Sequence, residues 1–392
     1  MADQYVCPNC GAAGLTVFYE THDAPVHSVL LLPTQEEALN FPRGEIKLGF
    51  CDQCGFITNV AYDPAPQDYS SRYEATQSFS PTFNAFSRRL ANDLIARYDL
   101  RDKDVIEIGC GQGEFLVELC ELGGNRGVGF DPAYDAERGL KADPEQIRFI
   151  ADYYSERYTD YQADFVCCKM TLEHIDQTAD FVSMVRRSIA DRTDTIVFFQ
   201  IPNATRVLRD LAFWDIYYEH CSYFTPGSLA YLFRRSGFDV LDVRTDYDDQ
   251  YLMIEAKPAC DPALVTADDA ALAETRRDVE YFRTRIPAKL REWQTTVRDL
   301  HQQGQRIVIW GGGSKGVAFL TTLGFYDEIE YAVDINPRKH SMFMAGTGQE
   351  TVGPDFLREY QPDTVIVMNP IYCDEIQRDL DRLGVSARLL PL

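Results

Sequence analysis

Short apolar stretches separated by glycine or polar turns recur through the middle of the chain. Their length and composition are typical of buried strands. They lie at residues 104–108, 126–130, 147–150, 164–168 and 195–201. Helical periodicity follows the first of them, over residues 114–122. Alternation of short buried strands with helices predicts an α/β domain built on a parallel sheet.

A different pattern begins near residue 267. Apolar positions recur at helical spacing over residues 267–303, which predicts a long linking helix with Pro287 as its weakest point. Strand patterns then return at 306–310, 331–333 and 364–368. We therefore expect an N-terminal cap at 1–70, a core at 71–260, a linking helix at 261–303 and a smaller Rossmann-like domain at 304–392.

The bulk composition narrows the class of protein. A chain of 392 residues suggests two or three domains, and 45% hydrophobic with 25% charged residues is typical of globular proteins. No apolar run approaches the roughly 20 residues that cross a bilayer, and the first residues do not resemble a signal peptide. A net charge of −23 disfavours nucleic acid as a partner. We expect a cytoplasmic monomer or weak homodimer that binds a small molecule and no membrane.

Two Cys-x-x-Cys pairs lie in the first 54 residues, Cys7 with Cys10 and Cys51 with Cys54. Four thiolates suit a tetrahedral Zn²⁺ ion, and such a site leaves no position open for chemistry. The alternatives are disulfides or free thiols. We expect a structural zinc site, with residues 29–50 forming an inserted hairpin or loop. The nearby His22 and His27 are expected to be ordinary loop residues.

A glycine-rich loop follows the first core strand in the order Glu-x-Gly-x-Gly-x-Gly. Its residues are Glu107, Gly109, Gly111 and Gly113. A strand, a glycine turn and a helix place backbone amides beside a ligand, which predicts a nucleotide-type cofactor site. Asp131 ends the next strand, where a carboxylate can accept hydrogen bonds from ribose hydroxyls.

The ordered motifs EIGCGQGEF, GVGFD, IADYY and DFVCCKMTLEH resemble the class I S-adenosylmethionine-dependent methyltransferases. The resemblance implies that the three glycines hold the methionine part of the donor. It also implies that Asp131 binds the ribose and that Asp152 or Tyr153 borders the adenine. The alternative is a Rossmann-like domain for another nucleotide.

Histidines and tyrosines follow two strands of the core. His174 lies in MTLEH, and Tyr217, Glu219 and His220 lie in YYEHCSYF. Ligands of open parallel sheets bind outside the carboxyl ends of the strands, and imidazole titrates near neutral pH. We expect Glu219 to orient His220 as a general base, whereas packed histidines are the alternative.

The C-terminal segment contains a second glycine loop, Gly311 to Gly316, and Asp334 ends the following strand. This spacing matches a dinucleotide fingerprint. Basic residues in the surrounding loops suit a ligand that bears phosphates. The alternative is a vestigial fold that uses glycine for packing. The candidate ligand-binding residues are Ser314, Lys315, Arg338, Lys339 and Asn369.

The order of cysteine knuckles, methyltransferase core, linking helix and small Rossmann-like tail resembles the three-domain C-methyltransferases of nucleotide-activated keto-deoxysugars. The motifs CPNC, CDQCG, YYEHCSYFT, GGGSKG and VDINPRKH carry this resemblance. It implies a zinc cap, a methyl-donor core and a tail that helps to hold a nucleotide-sugar. It also implies that Tyr217, Glu219 and His220 line the reaction site. Tyr217, Tyr73 and His174 are candidates for steadying the enolate oxygen or the sugar hydroxyls.

Three other functions are compatible with these motifs. An O-methyltransferase acting on a sugar hydroxyl would use the same donor site and a similar base. An NAD-dependent oxidoreductase would use the second glycine loop and Asp334. A zinc-dependent interaction protein would retain the fold without catalysis, although the Tyr-Glu-His cluster argues against it.

Overall fold

The computed structural model describes residues 5–140, 142–260 and 265–392. The N-terminal part contains β1 (Thr16–Pro25), α1 (Gln35–Leu39), β2 (Arg43–Phe50) and β3 (Ile57–Asn59). The middle part contains α2 (Pro81–Tyr98), β4 (Asp104–Ile108), α3 (Glu114–Gly123), β5 (Arg126–Phe130), β6 (Ile147–Ile150), β7 (Phe165–Lys169), α4 (Thr178–Ile189), β8 (Ile196–Pro202), α5 (Ala204–Arg209), β9 (Ser222–Tyr223), α6 (Pro226–Arg235), β10 (Phe238–Asp246) and β11 (Tyr251–Pro258). The C-terminal part contains α7 (Asp269–Gln302), β12 (Ile307–Trp310), α8 (Ser314–Leu323), β13 (Tyr331–Val333), β14 (Glu350–Val352), α9 (Leu357–Tyr360), β15 (Thr364–Val367), α10 (Cys373–Leu383) and β16 (Arg388–Pro391).

The first sheet is antiparallel, in the order β1-β2-β3-β9. The first two of these strands pair with each other, but only β2 lies within residues 29–50, where we expected a hairpin or loop, because β1 precedes that segment. The fourth strand comes from the middle of the chain, so this sheet joins residues from both sides of the expected limit at residue 70. The domain limits stay predictions.

The middle sheet has seven strands in the order β10-β11-β8-β7-β4-β5-β6. The five strands from β8 to β6 are parallel, and β11 runs antiparallel to both of its neighbours, β8 and β10. The five strand predictions for this sheet are confirmed, although β7 and β8 begin one residue later than expected. The alternating pattern of short buried strands and helices therefore identified this layer correctly.

The third sheet is parallel throughout, in the order β14-β13-β12-β15-β16. The strand β12, which comes first in sequence, ends at the second glycine loop, and α8 begins after this loop at Ser314. The loops that follow β7, β8, β12, β13 and β15 line one common cavity. The carboxyl ends of the strands in two different sheets are therefore directed toward the same space.

The linking helix α7 continues through Pro287 without a break, so the expected weak point is wrong. Proline costs about 3 kcal/mol in a helix interior because it removes a hydrogen bond and crowds the preceding turn. Buried side chains on both sides of the proline offset this cost. Phe282 packs edge-on against Tyr19 of the first sheet, with ring centroids 5.4 Å apart. Trp293 packs edge-on against Phe319 of α8 at 5.3 Å.

One apolar core unites the first sheet, the linking helix and one face of the third sheet. It also includes the segment that follows β8, from Ala204 to Tyr218. The two faces of the middle sheet pack in separate cores. Within the described ranges, no helix has both the length and the apolar composition that crossing a membrane requires.

Candidate active site

A cavity of about 800 Å³ lies at the carboxyl ends of β4, β5 and β7, and we call it the donor cavity. It is large enough for a cofactor-sized ligand. Six of the seven residues that the sequence assigned to the cofactor line it. These are Glu107, Gly109, Gly111, Asp131, Asp152 and Tyr153. Gly113 does not line it.

The glycines of the loop are needed for different reasons. Gly109 has a φ of +70°, and a Cβ there would lie 1.9 Å from Thr171 Oγ1. Gly113 has a φ of +92°, and a Cβ there would lie 2.4 Å from the Phe149 ring. The first glycine therefore allows close approach of two loops at the cavity, whereas Gly113 serves packing.

Two of the three predicted carboxylates of this cavity already have protein partners. Asp131 accepts hydrogen bonds from the backbone N–H groups of Gly111 and Ala133, both at 2.8 Å. It thereby ties the glycine loop to the loop after β5. Asp152 accepts hydrogen bonds from Tyr158 and Arg157, and the tyrosine contact is the main cause that lowers the pKa of Asp152.

A second cavity of about 310 Å³ lies between the middle sheet and the third sheet, and we call it the acceptor cavity. The structure brings the predicted catalytic and ligand-binding residues together there, with one exception. The lining includes Tyr73, His174, Tyr217, Glu219, His220, Ser314, Lys315, Lys339 and Asn369. Arg338 is absent from the lining, and its Nε lies 3.9 Å from Glu74 Oε2.

The two cavities share a wall, which we call the partition. Residues that line both cavities are Tyr73, Ala75, Thr76, Gln77, Met170 and His174. A ligand in one cavity therefore comes within reach of a ligand in the other only across this group of residues. His174 is the only histidine among them, and burial lowers its pKa to about 4.

His220 lies on the acceptor side of the partition and is buried. Burial is the main cause that holds the pKa of His220 well below its usual value, and nearby His174 and Lys315 add to this effect. The imidazole is therefore neutral at neutral pH and can accept a proton. The Tyr217 ring packs on it, with centroids 4.1 Å apart.

The expected orientation of His220 by Glu219 is not formed. Glu219 instead accepts hydrogen bonds from the backbone N–H of Ser28 at 2.7 Å and from the Ser28 hydroxyl at 2.9 Å. His27 Nδ1 also lies 3.3 Å from this carboxylate. Residues adjacent in sequence need not contact each other through their side chains. Here Ser28 and His27 of the cap contact the Glu219 carboxylate, and His220 does not.

Glu173 occupies the position behind His220 that we expected for Glu219. Its Oε1 lies 4.0 Å from His220 Nε2. The side chain is 1% exposed, and neither carboxyl oxygen has a hydrogen-bond partner among the residues that the structure describes. Burial raises the pKa of Glu173 to about 8. The sequence analysis missed this residue, although its place directly before His174 was a usable signal.

His27 was also misjudged, because it is fully buried rather than part of an ordinary loop. The backbone N–H of Asp68 donates to His27 Nε2 at 2.6 Å. The imidazole packs edge-on against Tyr69 and Tyr73, with centroids 5.6 and 6.1 Å away. His27 therefore connects the cap to the segment that contributes Tyr73 to the partition.

The two lysines that line the acceptor cavity are each paired with a carboxylate. Lys315 donates a hydrogen bond to Asp215, and Lys339 Nζ lies 3.2 Å from Asp334 Oδ2. Asp334 also accepts from the backbone N–H of Gly312 at 3.0 Å. A bound anion would have to compete with these carboxylates for the lysines.

The four cysteines of the cap converge on one point. Cys7 Sγ lies 3.7 Å from Cys54 Sγ, and Cys10 Sγ lies 3.6 Å from Cys51 Sγ. All four sulfur atoms lie within 4.8 Å of one another. A disulfide needs a separation of about 2 Å, whereas tetrahedral Zn–S bonds of about 2.3 Å place the sulfurs about 3.8 Å apart. The donor set therefore fits zinc and excludes disulfides.

Gly109→Ala should lower both stability and donor affinity, because the new Cβ would meet Thr171 at the cavity. We expect a loss of about 2 kcal/mol or more in the free energy of unfolding. The measurements are thermal unfolding and titration with S-adenosylhomocysteine, the demethylated donor.

Gly304→Ala is the matched control, because Gly304 has a similar φ of +75° but no atom within 4 Å of the added Cβ. It should show only the backbone strain of about 1 kcal/mol and unchanged titration. Equal effects of the two substitutions would show that the close contact of Thr171 with Gly109 contributes neither to stability nor to donor affinity.

Two protein-family models match the chain. The model described as a methyltransferase domain matches residues 83–243, and the one described as a C-methyltransferase C-terminal domain matches residues 257–386. The chain is 28% identical over 346 residues to C-methyltransferase NovU from Streptomyces niveus, which covers 83% of this chain and 80% of NovU.

Solved methyltransferase structures align with a part of the chain. Magnesium protoporphyrin IX methyltransferase ChlM from Synechocystis PCC 6803 is 16% identical, with 45% of this chain and 84% of ChlM covered and a TM-score of 0.36. The 1,6-didemethyltoxoflavin-N1-methyltransferase from Burkholderia thailandensis is 17% identical, with 52% and 96% covered and a TM-score of 0.35. Scores this low carry no argument about substrate.

The family models agree with what the sheet order and the donor cavity indicate. The middle sheet is the Rossmann-like layer of a class I methyltransferase, and its glycine loop lies where the donor site is expected. The C-terminal-domain model and NovU both point to transfer to carbon. The chain is an S-adenosylmethionine-dependent methyltransferase, and these two matches support a place among the C-methyltransferases.

Proposed function

We propose that this enzyme methylates a carbon next to a ketone in a nucleotide-activated deoxysugar, with His220 as the general base. The observation that carries the proposal is the partition between the two cavities. A donor on one side and an acceptor on the other would meet beside Tyr73 and His174. His220 and Tyr217 lie on the acceptor side of this meeting point.

The donor supplies a methyl group bonded to a positively charged sulfur. The glycine loop, with Glu107 and Asp131, would hold it, since these residues line a cavity of suitable size. The unpartnered Glu107 Oε2 and the glycine backbone suit a ligand with both donors and acceptors. The described residues therefore fit the donor that the family uses.

Carbon methylation begins with removal of a proton from the carbon next to the ketone. His220 is neutral and buried, so it can take that proton without first losing one. The C–H bonding pair then delocalises into the enolate and attacks the methyl carbon, and the C–S pair leaves with sulfur. Alignment of the reacting atoms across the partition supplies much of the acceleration.

Neutral phenols are suited to hold the developing enolate oxygen. Burial keeps the pKa values of Tyr73 and Tyr217 well above the usual value, so both retain the hydroxyl proton and can donate it in a hydrogen bond. His174 is fixed by a hydrogen-bond contact of 3.1 Å between its Nδ1 and Tyr69 Oη. We assign these three side chains to the sugar oxygens.

The third sheet supports a nucleotide-bearing acceptor. Ser314 and Lys315 begin α8 at the acceptor cavity, and Lys339 and Asn369 line it from neighbouring loops. Two ammonium groups suit a diphosphate once Asp215 and Asp334 release them. Arg338 stays a prediction, since its side chain lies outside the lining.

O-methylation of a sugar hydroxyl is the second candidate, because it needs the same donor and base. The C-methyltransferase match over residues 257–386 favours carbon. The oxidoreductase alternative is not favoured, since the model that matches residues 257–386, where the second glycine loop lies, is a C-methyltransferase model. The two remaining reactions differ in the proton that His220 removes, which comes from a carbon in one and from a hydroxyl in the other.

A carbon acceptor should exchange its acidic C–H proton with deuterated water when enzyme is present and the methyl donor is absent. His220→Ala should lower this exchange and the methylation rate by about 10²–10⁴-fold, because base catalysis is lost. Mass spectrometry of candidate nucleotide-sugars measures both. S-adenosylhomocysteine binding should remain within about twofold, since His220 does not line the donor cavity.

His340→Ala is the control, because this histidine hydrogen-bonds to the backbone oxygen of Asp334 and lies outside both cavities. Methylation without any C–H exchange would favour the hydroxyl acceptor. Full activity of His220→Ala would remove the histidine from the mechanism.

Glu173→Gln should change the pH dependence of kcat. Below about pH 8 the carboxyl is protonated, and above it the carboxylate can stabilise the imidazolium that forms on His220. The wild-type rate should therefore rise about tenfold through this range, and the variant should show no such rise. A rise retained in the glutamine variant would exclude Glu173 as the titrating group.

We further propose that Cys7, Cys10, Cys51 and Cys54 hold one structural Zn²⁺ ion. The sulfur separations match a tetrahedral thiolate site, and Asn9 Nδ2 donates to Cys54 Sγ at 3.6 Å. Zinc would there fix the fold of the cap. Because Ser28 of the cap holds Glu219, loss of the metal would also disturb the acceptor cavity.

Purified enzyme should contain one zinc per chain by elemental analysis, and Cys51→Ser with Cys54→Ser should abolish it and lower the unfolding temperature. Cys260→Ser is the matched control, because Cys260 is exposed and outside the cluster. A zinc-free wild-type protein of full stability would contradict the assignment.

A further inference from the structure

Lys169 is a basic side chain of the donor cavity that makes no ion pair with any described residue. It ends β7 and lines the donor cavity but not the acceptor cavity. Among the described residues, no acceptor lies within hydrogen-bond or ion-pair distance of its Nζ. The nearest recorded partner is the Phe115 ring, whose centroid lies 3.5 Å away. The ammonium group is therefore available to a ligand.

Glu107 lies on the same face of the sheet as Lys169. In the β4–β7 register Glu107 pairs with Cys167, and Lys169 follows two residues later on the same side. The Glu107 side chain is buried, and its Oε2 has no partner in the described part of the chain. The two groups are too far apart for an ion pair. Each is therefore an ionisable group that faces the donor cavity without an ion-pair partner among the described residues.

The other carboxylates near Lys169 are already engaged. Glu114 Oε1 accepts a hydrogen bond from Thr76 at 2.7 Å, and Glu118 Oε2 accepts from Ser87 at 2.8 Å. Of these three acids, Glu107 alone has a buried oxygen without a hydrogen-bond partner among the described residues. Burial raises the pKa of Glu107 to about 8 and lowers the pKa of Lys169, as expected when opposite charges are desolvated without contact.

A buried cation and a buried acid that do not touch are stabilised by a ligand that bears both opposite charges. An amino acid zwitterion has this arrangement, with one carbon between its carboxylate and its ammonium. A bare ammonium in the donor cavity would also repel a sulfonium ion, unless an anion lies beside it.

We propose that Lys169 binds the carboxylate of the methionine part of the donor while Glu107 accepts from its ammonium. Lys169 is then a specificity-determining residue for the amino acid end of the ligand. The assignment concerns donor binding alone and does not depend on the acceptor or on His220. Its test therefore needs no acceptor substrate.

Calorimetric titration of the full chain with two ligands tests the proposal. S-adenosylhomocysteine carries the amino acid end, whereas 5′-methylthioadenosine has the adenosine and the sulfur without it. Lys169→Met should weaken S-adenosylhomocysteine about 10- to 100-fold, the value of a charged hydrogen bond, and should leave 5′-methylthioadenosine within about twofold. Lys169→Arg should bind S-adenosylhomocysteine with an affinity closer to the wild type than to Lys169→Met, since arginine keeps the positive charge.

Lys257→Met is the matched control, because it removes the same charge from an exposed position on β11. It should leave both affinities unchanged. Equal weakening of both ligands by Lys169→Met would assign Lys169 to packing and overturn the proposal. Unchanged binding of S-adenosylhomocysteine to that variant would overturn it as well. Failure of the base or the acceptor assignment would leave these titrations unaffected.

Discussion

Burial of the Glu219 carboxylate is the constraint on which the acceptor side of this enzyme depends. A carboxylate taken out of water is costly unless donors replace the lost hydration. Ser28 supplies two of these donors, from its backbone and its hydroxyl. Ser28 Oγ also lies 2.8 Å from Ser314 Oγ at the start of α8. One buried charge thus joins the cap, the middle layer and the C-terminal sheet at a single point.

The lysines of the acceptor cavity and the acids near His220 are paired, hydrogen-bonded or neutral. The two lysines lie against aspartates, and the acids near His220 are either hydrogen-bonded, as Glu219 is, or neutral at neutral pH, as burial makes Glu173. In such a cavity the field is small until a ligand or a proton rearranges a pair. Ligand binding therefore requires the lysines to exchange their aspartate partners for the ligand, because neither lysine of this cavity is unpaired before binding.

The strands and the glycine loop were predictable from local sequence, because short buried runs and glycines with positive φ leave a local signal. Contacts across the fold were not. Glu219 and His220 are adjacent in sequence, yet their partners are Ser28 and Glu173, which only the tertiary packing brings near. His27 had no local signal for burial. The continuity of α7 through Pro287 likewise follows from packing on two sheets, which outweighs a local preference.

The apolar core shared by the first sheet, α7 and the third sheet has a mechanical consequence. The segment after β8, which leads into Tyr217 and His220, belongs to the same core. The segment that carries the groups facing the acceptor thus packs in one core with two sheets. The helix α7 runs along this core and is about 50 Å long, from its 34 residues. The glycine loop follows β4, whose side chains pack in the two other cores, and one of these also contains Cys7, Cys51 and Cys54 of the cap. The cap therefore packs against both the middle sheet and the core that includes the third sheet, and it helps to fix the gap between donor and acceptor.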